Sequence, residues 1–88
     1  MKNSEKYKDN LNITGKILRA KRIEKNFSLD KLSNQLFLLG INIPITCLHR
    51  IENNQRTVRD YEICAIAQVL NIDVHDLLNP FIQELKKA

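Results

Sequence analysis

Glycine and proline are scarce, with two of each in 88 residues. Strands need frequent turns, and turns draw on those residues, so an all-β fold is disfavoured. Cysteine is equally rare. Cys47 and Cys64 are too few for a disulfide framework and, alone, too few for a zinc site. His49 and His75 do not complete one. Cys47 and His49 lie two apart, which on a helix points them roughly 200° apart. Both cysteines are therefore expected to be structural thiols in a reducing compartment. No apolar run approaches the roughly 20 residues needed to span a bilayer. Residues 1–10 are polar and charged, without the apolar centre of a signal peptide, so a cytoplasmic protein is expected. A Gly-rich phosphate loop, a Ser/His/Asp or Cys/His constellation and an acidic pair placed for metal binding are all missing. The expectation is a protein that is not an enzyme, with no catalytic residue, no cofactor and no metal.

What is present suits one small domain. Hydrophobic residues make up 43% of the chain, enough for a single core. The net charge of +4 is unevenly spread. Residues 1–26 carry eight basic and three acidic side chains, residues 27–59 four and two, and residues 60–88 two and five. A molecule polarised in this way can turn a cationic face to a polyanion and its acidic end away.

Periodicity divides the chain into short helices. Residues 1–12 hold Lys2, Glu5, Lys6, Lys8 and Asp9 and little apolar content, which predicts a loose tail. Ile13, Ile17, Ala20 and Ile23 recur at helical spacing, predicting helix 1 over 14–25 with Asn26 as a left-handed terminator. Ser28 is a good N-cap, and Asp30 suits the first turn of helix 2. Leu29, Leu32, Leu36 and Leu39 give that helix a range of 29–39, ended by Gly40. Pro44 suits the start of helix 3, predicted over 44–53 with Leu48 and Ile51 in the core and Asn53-Asn54 as its stop. Gln55 to Arg59 is a basic connection. Helix 4 is predicted over 60–70 from Tyr61, Ala65, Ile66 and Val69, with Asn71 as terminator. Asp73 and Asp76 form a reciprocal cap for helix 5, which Pro80 is expected to stop. Phe81, Ile82 and Leu85 then make a further amphipathic turn. The expected fold is all-α: a compact bundle of about five short helices with a central helix-turn-helix. Its domain spans 13–79, between the N-terminal tail and a C-terminal segment at 80–88.

Arg19-Ala20-Lys21-Arg22, Ser28-Leu29-Asp30-Lys31-Leu32, Leu48-His49-Arg50-Ile51-Glu52-Asn53-Asn54-Gln55-Arg56, Asp60-Tyr61-Glu62 and Ala65-Ile66-Ala67-Gln68-Val69-Leu70-Asn71-Ile72 stand in order along the chain. With Asp76-Leu77-Leu78 behind them, they make the segment from Gly15 to Leu78 resemble the lambda-repressor-like, or XRE, helix-turn-helix family. The resemblance implies a transcriptional regulator, typically a repressor, that binds double-stranded DNA with helix 3 in the major groove and helix 2 across the backbone. It places Ile45, Thr46 and His49 near base edges, with Arg50 further along. Thr46 can exchange a hydrogen bond with a base or phosphate, and its methyl and the Ile45 side chain can meet a thymine methyl. The alternatives are that Ile45 packs on helix 2 and that His49 is a surface histidine with no role. Gln55 and Arg56 fall in the loop that grips a phosphate, where the alternative is a solvated arginine. Lys31, Asn34 and the open N–H groups at the start of helix 2 are further phosphate candidates. Glu52 is expected to pair with Arg22, locking helix 3 to helix 1 and aiming Arg22 at a phosphate.

Two departures from the family pattern stand out. Leu29 occupies a position where the family often has a Gln supporting the base-reading side chain. The link between helices 2 and 3 is longer than the usual tight turn by about five residues, roughly one and a half helical turns. Helix 3 is also apolar for a reading helix, with Ile43, Pro44, Ile45, Cys47 and Leu48 close together. A second reading follows: a protein-interaction module that keeps the fold and has lost or weakened DNA binding. Family members commonly bind two half-sites as dimers. A homodimer through Leu78, Phe81, Ile82 and Leu85 is expected here, unless those residues fold onto their own core.

Overall fold

The computed structural model describes residues 9–87, which hold five helices and no strand. They are α1 (Gly15–Glu24), α2 (Leu29–Leu38), α3 (Ile45–Glu52), α4 (Asp60–Leu70) and α5 (Val74–Lys86). The chain is the all-α bundle its periodicity predicts. No helix among the described residues is long and apolar enough to cross a membrane.

Four of these helices end in the same way. Asn26, Gly40, Asn54 and Asn71 each have positive φ, at 60°, 84°, 59° and 56°. After each, the next N–H closes back on a carbonyl of the last turn: Phe27 to Arg22, Ile41 to Leu36, Gln55 to Arg50, and Ile72 to Ala67. Glycine and asparagine tolerate the left-handed conformation that this closure requires. The starts are capped as locally. Ser28 Oγ accepts from the Lys31 N–H at 3.0 Å, and Asp73 Oδ1 from the His75 N–H at 3.0 Å. Asp76 reaches back to the Asp73 N–H, completing the expected reciprocal pair.

The core consists of Leu18, Leu32, Leu36, Ile43, Leu48, Ile51, Ile66, Leu70 and Leu77, all fully buried. α2 packs on α3 and α4, α1 on α3, and α4 on α5. The buried side of α1 differs from its apolar period. Thr14 and Leu18 are buried and Arg22 half-buried, whereas Ala20 and Ile23 face solvent. Helix-to-helix fit decides the face. A Cβ on Gly15 would fall on the Ile51 carbonyl, so the α1 and α3 backbones touch there, and that crossing turns the Thr14–Leu18–Arg22 side inward.

Two further expectations are corrected. Of the predicted loose tail, residues 1–8 lie outside the described residues, but its last residue is anchored. Asn12 Oδ1 accepts from the N–H groups of Thr14 and Gly15, capping α1, while its Nδ2 donates to the carbonyls of Ile51 and Arg56. Pro80 does not stop α5, which runs through it to Lys86. The missing N–H and the ring clash oppose this by about 3 kcal/mol. Continuing the helix holds Leu78, Phe81 and Ile82 half-buried beside the fully buried Leu77. It also brings Pro80, Phe81 and Glu84 to a groove shared with Lys16 and Arg19 of α1 and Asn53 and Asn54.

The lengthened link, residues 39–44, is fixed at three points. Gly40 makes the left-handed closure, Ile43 is fully buried, and Ser33 Oγ donates to the Ile43 carbonyl at 2.7 Å. Pro44 then caps α3 in extended conformation.

Candidate nucleic-acid interface

α3 buries Leu48, Ile51 and Glu52 and leaves Ile45, Thr46, His49 and Arg50 exposed, with Asn53 exposed at its C-cap. At 100° per residue, Thr46, His49, Arg50 and Asn53 form one outward stripe, with Ile45 at its edge. The base-contact candidates Ile45, Thr46, His49 and Arg50 thus share the open side of one helix. His49 and Asn53 are coupled within it: Asn53 Nδ2 lies 3.2 Å from His49 Nε2 and donates to the His49 carbonyl at 2.9 Å. On α2, Lys31, Asn34 and Leu38 fall on one exposed stripe by the same geometry. The Lys31 ammonium stands 4.3 Å from the centroid of the Phe27 ring, a cation–π contact. Of the N–H groups that open α2, that of Lys31 is already held by Ser28.

The phosphate candidates divide into two kinds. Lys31, Asn34 and Gln55 are exposed. Arg22 and Arg56 are engaged inside the protein. Arg22 Nε and Nη2 meet Glu52 Oε2 and Oε1 at 2.7 and 3.2 Å, and Nη1 donates to the Phe27 carbonyl at 2.7 Å. The ion pair implied by the resemblance is present and locks α1 to α3. It also absorbs the Arg22 guanidinium, whose side chain is only 12% exposed. Arg56 is not a flexible loop cation. Its Nη1 and Nη2 each lie 3.1 Å from Glu62 Oε1 and Oε2, and Nη1 also donates to the Thr57 carbonyl.

Glu62, which the resemblance includes without a role, is the partner of Arg56. It is buried at the third position of α4, where Oε1 also accepts the Arg59 N–H at 2.9 Å. The Arg59 guanidinium is 3.6 Å from Oε2. Burial alone would raise this carboxyl. The Arg56 hydrogen bonds, the Arg59 N–H and the charges of both arginines outweigh it and hold the group below the usual carboxylate range. The same bond raises Arg56. A carboxylate three residues into a helix, after a residue whose N–H it can cap, is the available sequence signal.

The apolar surface also falls differently. Ile43 and Leu48 are buried and Cys47 is half-buried. A group of exposed apolar side chains lies instead at the end of α2 and the start of α3: Phe37 at 66% exposure, Leu38 at 76%, Leu39 at 50% and Ile45 at 42%; Leu11, Ile23, Tyr61 and Leu85 are exposed elsewhere. Both cysteines are free thiols, and no group of three or more metal-ligating side chains occurs among the described residues. Compared with protein-family models, curated proteins and solved structures, the chain matches none.

Proposed function

We propose that the chain is a cytoplasmic DNA-binding protein of the lambda-repressor-like helix-turn-helix type that regulates transcription, as a repressor, and is not an enzyme. α3 enters the major groove while Lys31, Asn34 and Gln55 meet the backbone. The observation that carries this reading is the open stripe of α3. It presents Ile45, Thr46, His49 and Arg50 on a helix held from behind by Glu52–Arg22, Asn12 and the Gly15 crossing. Rigid presentation is what base reading demands, because each polar group must arrive at a fixed edge. The test is fluorescence anisotropy with a mixed-sequence duplex across a salt series. Binding should weaken steeply with salt, and Lys31→Ala should reduce the slope by about one unit. A salt-independent affinity would exclude phosphate contacts.

Binding as a two-fold dimer is part of the proposal. Leu78, Phe81 and Ile82 are half-buried within their own chain, which leaves Leu85, at 56% exposure, as the apolar part of α5 open to a partner copy. Sedimentation of the intact chain against Leu85→Ser, with and without duplex, tests it: a monomer in both states removes the dimer.

The exposed Phe37, Leu38, Leu39 and Ile45 favour the second reading, a protein-docking module on the same fold. Undetectable binding to any duplex at low salt would select it.

A further inference from the structure

Resting on the DNA-binding reading, we propose that the first turn of α3 recognises the 5-methyl group of a major-groove pyrimidine. In unmodified DNA that pyrimidine is thymine, so the half-site places an A·T pair opposite Ile45 and Thr46. The first turn has little else to read with. Pro44 caps it, Ile45 is 42% exposed, Thr46 is exposed and Cys47 is half-buried. Thr46 alone among them carries a side-chain hydroxyl or amide. The side chains that read purines in two-point fashion are absent there: Arg or Lys for guanine, Asn or Gln for adenine. The first of that kind, Arg50, comes more than a turn later. Asn53 is further still and its amide is engaged with His49.

What the turn does present is methyl groups: those of Ile45 and the γ-methyl of Thr46. Among the edges that base pairs show in the major groove, the 5-methyl of thymine is the apolar one. Ile45 opens α3 between the fully buried Ile43 and Leu48 in the chain and is itself 42% exposed. Meeting a methyl removes apolar area from water on both partners, worth roughly fourfold in affinity per methyl group.

The experiment first selects bound duplexes from a random pool, then replaces single thymines in the selected half-site by uracil, which keeps every hydrogen-bonding group and deletes the methyl. The unaltered protein should lose roughly fourfold affinity at one or two positions. The double variant Ile45→Ala/Thr46→Ser should bind more weakly overall and be indifferent to the same replacement. Cytosine paired with guanine at that position should bind poorly, and 5-methylcytosine should restore part of the loss. If the duplex is bound but uracil matches thymine at every position, the methyl assignment is overturned and the DNA-binding reading stands. If the double variant stays as sensitive to uracil as the unaltered protein, other residues read the methyl and the assignment to Ile45 and Thr46 is overturned. If no duplex is selected at low salt, the DNA-binding reading itself fails.

Discussion

Arg56 and Glu62 meet side-on, Nη1 to Oε1 and Nη2 to Oε2, at 3.1 Å each. The pair joins the connection after α3 to the first turn of α4 and fixes the path between the two helices. Glu62 is 3% exposed, so its charge depends on these partners. Replacing one member of such a pair leaves the other charged, desolvated and uncompensated.

The acid limb of stability follows from this pair. Folding holds the Glu62 carboxyl below its ordinary value. Its contribution is therefore complete above the unfolded value of about 4.3 and is lost as pH falls through the lower folded value. Glu62→Gln should cost about 1–3 kcal/mol at neutral pH and flatten the decline in acid. Denaturant unfolding of both proteins from pH 7 to pH 3 checks this; parallel pH profiles would contradict it.

Gly15→Ala should destabilise the fold although alanine is the better helix former by about 1 kcal/mol. The added methyl would land on the Ile51 carbonyl, which is backbone and cannot rotate aside. α1 must lift from α3, at a cost of about 1–3 kcal/mol. A melting temperature equal to or above that of the parent would show that the crossing relaxes without penalty.

Arg22 and Glu52 should prove strongly coupled. Their side chains are 12% and 3% exposed. Glu52→Ala alone should cost about 3–5 kcal/mol, and the double change with Arg22→Ala should cost less than the sum of the two single changes. A double-mutant cycle by urea unfolding measures the coupling, and additive losses would mean that the pair does not act as one.

At Asn71 the backbone conformation decides the outcome. With φ at 56° and its N–H bonded to the Gln68 carbonyl, Asn71→Gly should be near neutral. Asn71→Ala should cost about 1 kcal/mol. Thermal melts of the two variants should separate by several degrees, and equal melts would place the closure outside the stability-determining contacts.

Helix ends were the most legible part of the sequence, because their signals are local. Ser28, Asn26, Gly40, Asn71 and the Asp73/Asp76 pair act within a few residues of themselves. Facing was harder. α1 carries apolar residues on two sides, and the inward one is chosen by an α3 carbonyl more than thirty residues away. Pro80 is a local stop signal that tertiary packing overrides. The candidate interface divides along the same line. Ile45, Thr46, His49, Arg50, Lys31 and Asn34 are exposed where helical period puts them, and Gln55 is exposed in the connection after α3. Arg56 is drawn onto Glu62, a partner set by the turn into α4, which no period describes. Asn12 reads as tail because its polar side chain gives no sign of the Ile51 and Arg56 carbonyls it meets.

The brace between α1 and α3 has a consequence in time. α2, α3, α4 and α5 each pack on a neighbour in sequence, which closes quickly, but α1 docks through contacts 30 to 44 residues away: Arg22 with Glu52, and Asn12 with Ile51 and Arg56. The loop entropy of that closure is met only once α3 exists for α1 to dock on. Assembly should therefore proceed from the centre of the chain outward, with α1 arriving late and opening first. Its amides should exchange with solvent before those of α3, and each such opening would leave the Glu52 carboxylate without its cation, an electrostatic pull that shortens the excursion.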